Sequence, residues 1–389
     1  MGHKPAPTIT MDKLKSSKSH HIWERRRTLD VEERLELVTR NTQEIVTKDE
    51  LRTLLETTTR PRAYWGFESS GLMHIGMGLV CGGKIKDMIN AGFHFIIFLA
   101  DWHSWINNKL GGKMENIHIC GEYFRECFTA LGITPQKVQF LWATDLAKDI
   151  DYWEKVIRIG KTATLQRVWR ALPIMGREMS LSDMETAWVY YPCMQAADIF
   201  HMKLDVACAG IDQRKAHMLA RDAAEKLHWK KPVCVHVPLL MGLQGPAKTE
   251  KKFDEDGAIN LQISAKMSKS MPENCIFVHD SPEQILSKVK NAYCPPKQTE
   301  SNPVLELAKL AVFTHQANLT IERPAKYGEN QTFQDFIELE KAFREGKVHP
   351  LDLKNSVAEA LVTILEPVRK HFQKKPDMLE KMLQIEITR

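Results

Sequence analysis

Three polar side chains in the stretch Tyr191-Pro-Cys-Met-Gln195-Ala-Ala-Asp198 stand at i, i+4 and i+7. On a helix that spacing puts them along one face. A purely structural helix would bury leucine or valine there, so a polar stripe predicts a lined pocket. Asp198 sits among Ala196, Ala197, Ile199 and Phe200, where an unpaired carboxylate is costly. A ligand phenol would give it a hydrogen bond. A neighbouring basic side chain would serve as well, and spacing alone does not choose.

Two further segments suit phosphate chemistry. Tyr64 to Gly76 closes a predicted strand and opens a helix, with His74-Ile75-Gly76 at the helix start. Free N–H groups and the positive dipole end there favour an anion. Gly66, Gly71 and Gly76 permit close approach of a ligand, and His74 can donate to a phosphate oxygen as charge builds up. Far downstream, Lys266-Met267-Ser268-Lys269-Ser270 follows the last predicted strand. Its two lysines can balance charge on a pentavalent phosphorus and a leaving pyrophosphate. Each segment alone has a plainer reading, His74 as a capping residue and the lysines as a solvated loop. Their order and context together argue for chemistry.

The elements around these residues read as an α/β protein. Short apolar strands at 63–67, 93–100, 138–143, 205–209 and 233–238 alternate with helices at 75–90, 115–131, 147–202 and 213–227, which predicts a parallel sheet. Residues 35–57 read as one or two helices. After about residue 276 no strand is predicted, and apolar residues at Leu353, Val357, Leu361, Ile364, Leu365 and Val368 mark one helical face. The expected domains are a basic tail at 1–30, a catalytic domain at 31–275 with a helical insertion near 105–190, and an all-helical domain at 276–389. Pro246 to Ser264, rich in Lys, Asp and Glu, reads as a surface insertion.

The net charge of +5 over 389 residues is compatible with nucleic acid without demanding it. Eight cysteines without a CxxC pair argue against a zinc knuckle and a disulfide framework, and no metal ligand set is expected. The longest apolar run is too short to span a bilayer. With no apolar stretch behind the polar, basic first residues, the expected place is the cytoplasm.

The two signatures resemble the HIGH and KMSKS motifs of class I aminoacyl-tRNA synthetases, except that Met77 stands at the fourth HIGH position. Tyr64 to Gly71, Tyr191 to Ile199 and Gln213 to Arg221 resemble three motifs of the archaeal and eukaryotic tyrosyl branch of that family. The likeness implies a Rossmann-like catalytic domain, and it assigns His74, Gly76, Lys266 and Lys269 to catalysis. ATP would also meet Gly66 and Ser268. Tyr64 and Asp198 would bind the tyrosine phenol. Tyr191, Gln195 and Gln213 would hold the ammonium, Glu68 would lie near the amino-acid backbone or ribose, and Ala100 and His103 would line the wall.

The same likeness implies that ATP, with Mg2+, and tRNA(Tyr) are partners. Arg214 and Lys215 would approach the acceptor stem, with Arg167 and Arg170 assisting, and His349 and Asp352 would meet anticodon bases. It also implies a homodimer through the inserted region. Alternatives are a tryptophanyl synthetase, which has no use for the Tyr64–Asp198 pair, and a small-molecule nucleotidylyltransferase, which needs no helical domain. A synthetase-like RNA-binding protein without catalysis is favoured only by Met77.

Overall fold

The run His94-Phe-Ile-Ile-Phe-Leu99 is apolar on both alternating faces, which suits a strand covered above and below. In the computed structural model, which describes residues 29–176, 184–247, 257–324, 326 and 328–385, that run lies inside the main sheet. Its strands are β1 (Glu44–Val46), β2 (Arg62–Phe67), β3 (His94–Leu99), β4 (Gln139–Trp142), β5 (Val206–Gly210) and β6 (Val233–Val237). They lie in the order β1-β6-β5-β2-β3-β4. All neighbours are parallel except β1, which runs antiparallel to β6 at the edge.

The chain steps from β2 to β3 and β4 on one side, then returns to lay β5 and β6 on the other. The strand order therefore reverses between β2 and β5, and ligands of open parallel sheets bind at such a crevice, at the carboxyl ends of the strands. One sheet face carries Trp65, Phe95, Ile97 and Leu99 against helices Gly82–Asn90 and Met114–Ala130. The other carries Tyr64, Ile96, Phe98 and Ala207 against helices Ile150–Thr162, Tyr190–His201 and Arg214–Leu227. Each fully buried Phe, Ile or Leu contributes about 1.5–3 kcal/mol, so the crevice stands on a stiff floor.

Two expectations need correction. Residues 35–57 are not purely helical: helix Val31–Thr39 gives way to β1, and helix Lys48–Thr57 follows. Asn41, at φ 53°, breaks the path. The second helix starts afresh at Thr47, whose hydroxyl accepts from the Glu50 N–H in a capping box. The second correction lies beyond residue 276, where a hairpin of β7 (Leu319–Ile321) and β8 (Gln331–Phe333) interrupts the helices. Strands of three residues are too short to display alternation.

A boundary at 275/276 also crosses a continuous contact. The Ile75 N–H donates to Ile276 O, and the Val278 N–H donates to Met73 O. The long helix Pro350–Lys374 returns to the catalytic half, where Phe372 stacks on Tyr123 with centroids 5.6 Å apart. Its His371 ring meets Glu126 at 2.6 Å, and Lys375 just beyond meets the same carboxylate at 3.0 Å. Both halves thus share one hydrophobic core.

All but the end of the expected basic tail, and residues 248–256 of the expected insertion, lie outside the described residues. The remainder of that insertion includes helix Gly257–Ala265, which leads directly into Lys266. Among the described residues, no helix is long and apolar enough to cross a membrane.

Candidate active site

A cavity of about 280 Å3 opens at the crevice, and its wall includes Tyr64, Gly66, Glu68, His74, Gly76, Tyr191, Gln195, Asp198, Gln213, Lys266 and Lys269. Three stretches far apart in sequence thus meet in one place. Ser268 is not part of the wall; its hydroxyl lies 2.8 Å from that of Ser270.

Asp198 projects from the helix Tyr190–His201 and is 1% exposed. It is not unpaired. The Tyr152 hydroxyl donates to Oδ1 at 2.9 Å, and His103 Nε2 lies 3.2 Å from Oδ2. The His103 contact meets the distance of an ion pair without the alignment of a hydrogen bond. Burial opposes charge on His103, yet Asp198 raises its pKa. A carboxylate offers about four lone-pair directions, so Asp198 can accept one more hydrogen bond from the cavity. Tyr64, 2% exposed on β2, is held well above the ordinary tyrosine pKa by burial and by Asp198. It is therefore a neutral hydroxyl beside a carboxylate, a setting that accepts a phenol.

The other end of the stripe is built for a cation. Tyr191 donates its hydroxyl hydrogen to Glu68 Oε1 at 3.2 Å, leaving its oxygen lone pairs free to accept. Glu68 is steadied by the Asn107 amide at 2.6 Å and by Lys109 at 3.5 Å. Gln195 Nε2 donates to Gln213 Oε1 at 3.3 Å, and Gln213 Nε2 donates to Ile174 O at 2.9 Å. Gln195 Oε1 is buried without a partner among the described residues. Two amide oxygens and a tyrosine oxygen beside a carboxylate suit an ammonium.

The phosphate end differs from expectation in one respect. The first N–H groups of the helix are already occupied: Ile75 bonds Ile276 O, Gly76 bonds His74 Nδ1, and Met77 and Gly78 bond His74 O. What faces the cavity is side-chain chemistry. Because His74 Nδ1 accepts from the Gly76 N–H at 3.1 Å, a neutral ring carries its hydrogen on Nε2. Burial and the nearby Lys269 and Lys266 lower its pKa to about 3, so it is a neutral donor. Gly76 is needed here because a Cβ would stand 2.8 Å from His74 Cε1.

The lysine loop is pinned between its two cations. Met267 is buried, and its N–H donates to Leu240 O at 2.7 Å. Lys266 reaches Asp212 at 3.0 Å. Lys269 donates to Ser70 Oγ at 3.2 Å and Gly71 O at 3.4 Å, beside the first signature. Burial lowers the Lys269 pKa, which makes an incoming anion its natural partner.

Sequence reasoning missed Tyr152 and Asp212. Tyr152 sits on the apolar face of its helix, where a tyrosine reads as core. Asp212 had a usable signal, an acid just past the carboxyl end of a parallel strand and next to Gln213. The expected tRNA contacts lie outside the cavity. The Arg214 guanidinium is engaged by Glu44 at 2.9 Å, Lys215 follows on the same turn, and Arg167 pairs with Asp222 at 3.0 Å. His349 caps the helix Pro350–Lys374 by accepting from the Leu351 N–H at 3.2 Å, and Asp352 lies in its first turn.

Half-buried histidines set an acid limit on this architecture. Burial is the main cause that lowers His74 to about 3, and His279 and His315 each to about 4. An unfolded histidine titrates near 6.5. Between about pH 6.5 and 4 the unfolded chain therefore binds protons that the native state refuses. Stability falls as pH drops through that window, by about 1.4 kcal/mol per pH unit for each group. His103, whose pKa is raised, contributes in the opposite sense and offsets only part. The urea midpoint at pH 5 should lie below that at pH 7.5; equal midpoints would contradict the assignment.

Known proteins resemble this chain over nearly its full length. Residues 56–366 match the family described as tRNA synthetases class I (W and Y). A tyrosine–tRNA ligase of Sulfurisphaera tokodaii is 47% identical over 351 residues, covering 90% of this chain and 95% of the relative. The solved tyrosyl-tRNA synthetase of Pyrococcus horikoshii, complexed with L-tyrosine, is 43% identical with a TM-score of 0.85, covering 92% of this chain and 100% of its own. That of Aeropyrum pernix is 42% identical with a TM-score of 0.80, covering 92% and 99%.

Proposed function

This chain belongs to the class I tRNA synthetases of the tryptophan and tyrosine group and acts as a tyrosine–tRNA ligase, and on that footing we propose which of its residues carry each step. The enzyme activates tyrosine with ATP to tyrosyl-adenylate, then transfers the tyrosyl group to the 3′ end of tRNA(Tyr). The observation that carries the residue assignment is the meeting of buried Asp198, His74 and both lysines around one cavity.

Tyrosine places its phenol between Tyr64 and Asp198. Its ammonium meets the Tyr191 oxygen and the Gln195 and Gln213 amide oxygens, with Glu68 supplying negative charge behind Tyr191. The carboxylate then faces the α-phosphorus of ATP laid over Gly66 and Gly76. Attack releases pyrophosphate, and no protein nucleophile is needed. His74 Nε2–H, Lys266 and Lys269 stabilise charge that grows on the phosphates, which is electrostatic and positional catalysis. Met77 offers no such hydrogen, so the load falls on those three. Among the described residues no three His, Cys, Asp or Glu side chains gather to hold a metal. Mg2+ would accompany the ATP phosphates as part of the substrate. For the second step, the terminal 2′-hydroxyl of tRNA attacks the activated carbonyl.

The mainly helical part, residues 276–389, is assigned to the anticodon. Asp352 lines an open cleft with Gln316, Asn318, Arg323, Asn330 and Asn355, side chains suited to base edges, and His349 stands exposed at the same helix start. Arg214 and Lys215 are assigned to the acceptor stem, for which Arg214 would exchange Glu44 for a phosphate or base. Replacing His349 and Asp352 together by alanine should raise KM for tRNA(Tyr) about tenfold or more and leave tyrosine-dependent pyrophosphate exchange unchanged. A parallel loss in exchange would remove the assignment. This work belongs in the cytoplasm, where tRNA is charged.

A symmetric dimer is supported by the inserted region. Trp105, Ile150, Ile157, Leu165 and Tyr190 are exposed apolar side chains there, Ile150 by 78% and Leu165 by 66%. Ile150 and Ile157 share one helix face. Ile157→Asp should shift the sedimenting species from twofold to single mass; an unchanged mass would place the interface elsewhere.

A further inference from the structure

Behind the part of the cavity wall formed by Gly210, Asp212 and Leu240 stand two buried histidines that the activation chemistry above does not use. His217 and His236 are fully buried, with stacked rings at 5.1 Å between centroids. His217 Nδ1 lies 2.9 Å from His236 Nε2, and His236 Nδ1 lies 2.8 Å from Glu44 Oε2. Glu44 is held below the usual carboxylate range, first by its hydrogen bond with His236 and also by Arg214.

With one hydrogen on each ring, this arrangement has a single consistent order. An ionised Glu44 only accepts, so His236 donates through Nδ1. His236 Nε2 then accepts, and His217 donates through Nδ1. His217 Nε2 is then a bare acceptor. That atom is buried, has no hydrogen-bond partner among the described residues, and His217 belongs to the cavity wall. Burial beside His236 keeps His217 well below the usual histidine range, so it remains neutral. A buried acceptor without a donor needs an explanation.

Its place in the fold indicates the donor. His217 lies one turn beyond Gln213 on the helix that starts after β5, and its partner His236 belongs to β6. Val237, Leu240, Gly210 and Asp212 complete that part of the wall. The phenol groups lie towards the other side, on β2 and the helix Tyr190–His201. Resting on the ligase reading, we infer that His217 Nε2 accepts a hydrogen bond from the nucleoside of ATP, with His236 and Glu44 as positioning residues that fix its tautomer. The donor is a ribose hydroxyl or the adenine amino group.

The test is tyrosine-dependent pyrophosphate exchange at pH 8, above the ordinary imidazole range. His217→Phe should raise KM for ATP about tenfold and leave KM for tyrosine unchanged. His217→Gln, whose oxygen reaches roughly the same point, should stay near the parent enzyme. Parent and His217→Phe are then compared with 2′-deoxy-ATP, 3′-deoxy-ATP and purine riboside triphosphate. One of the three should weaken the parent about tenfold and His217→Phe no further, the non-additivity of a shared contact. That analogue names the donor. Fully additive losses with all three, or a rise in KM for tyrosine instead, would overturn the inference. If His217→Phe does not fold, Glu44→Ala on the edge strand replaces it, since an unfixed tautomer should shrink the same analogue's penalty. Absent exchange in the parent enzyme would instead count against the assigned activation chemistry.

Discussion

Replacing Asp198 by alanine should lower kcat/KM for tyrosine by about one to two orders of magnitude while phenylalanine changes little. The hydrogen bond from the substrate phenol ends on a charged acceptor inside the protein, and such bonds are worth about 1.5–3 kcal/mol, or roughly 10- to 150-fold. Phenylalanine never uses that acceptor, so the tyrosine-to-phenylalanine ratio collapses by the same factor. The substitution also strips the Tyr152 hydroxyl and His103 of their shared partner. Asp198→Asn is the companion variant, because it keeps an oxygen for Tyr152 and should fall between alanine and the parent. Tyr64→Phe removes a neutral partner and should cost less, on the order of tenfold or below. Exchange kinetics with both amino acids measure the ratio directly, and an unchanged ratio in Asp198→Ala would remove the phenol assignment.

Lys269→Ala should reduce kcat for tyrosine activation on the order of 10²- to 10³-fold, the usual cost of deleting one charge-stabilising donor from a preorganised site. Tyrosine binding should not change, because its contacts come from β2, the helix Tyr190–His201 and Gln213, none of which depends on this lysine. The geometry sets the order of the two lysines. Among the described residues, the Lys269 hydrogen bonds go to neutral oxygens of Ser70 and Gly71, whereas Lys266 is partly neutralised by Asp212. Lys266→Ala should therefore show the smaller loss in kcat. Equilibrium binding of tyrosine beside single-turnover adenylate formation separates the terms. A matching loss in tyrosine affinity would make the loop structural instead.

The site was more legible than its supports. The polar stripe Tyr191, Gln195 and Asp198 announces itself because three polar groups share a face that packing would fill with leucine. The lysine loop is legible because its order after the first signature is informative. Tyr152 and His103 could not be joined to Asp198 by spacing, since they arrive from the inserted helices and the end of β3. The free helix N–H groups expected at His74 were spoken for by Ile276 and by His74 itself, a pairing between segments on either side of the expected domain boundary. The three-residue strands β1, β7 and β8 escaped for a simpler reason: pairing partners, not local pattern, make such strands.

The most direct measurement is exchange of labelled pyrophosphate into ATP, run in parallel with tyrosine, tryptophan and phenylalanine. Exchange supported by tyrosine alone is the predicted result, because Tyr64 and Asp198 reward a phenol and leave the other two with unsatisfied groups. Equal exchange with tryptophan or phenylalanine, or none with tyrosine from folded protein supplied with Mg2+, would contradict the account.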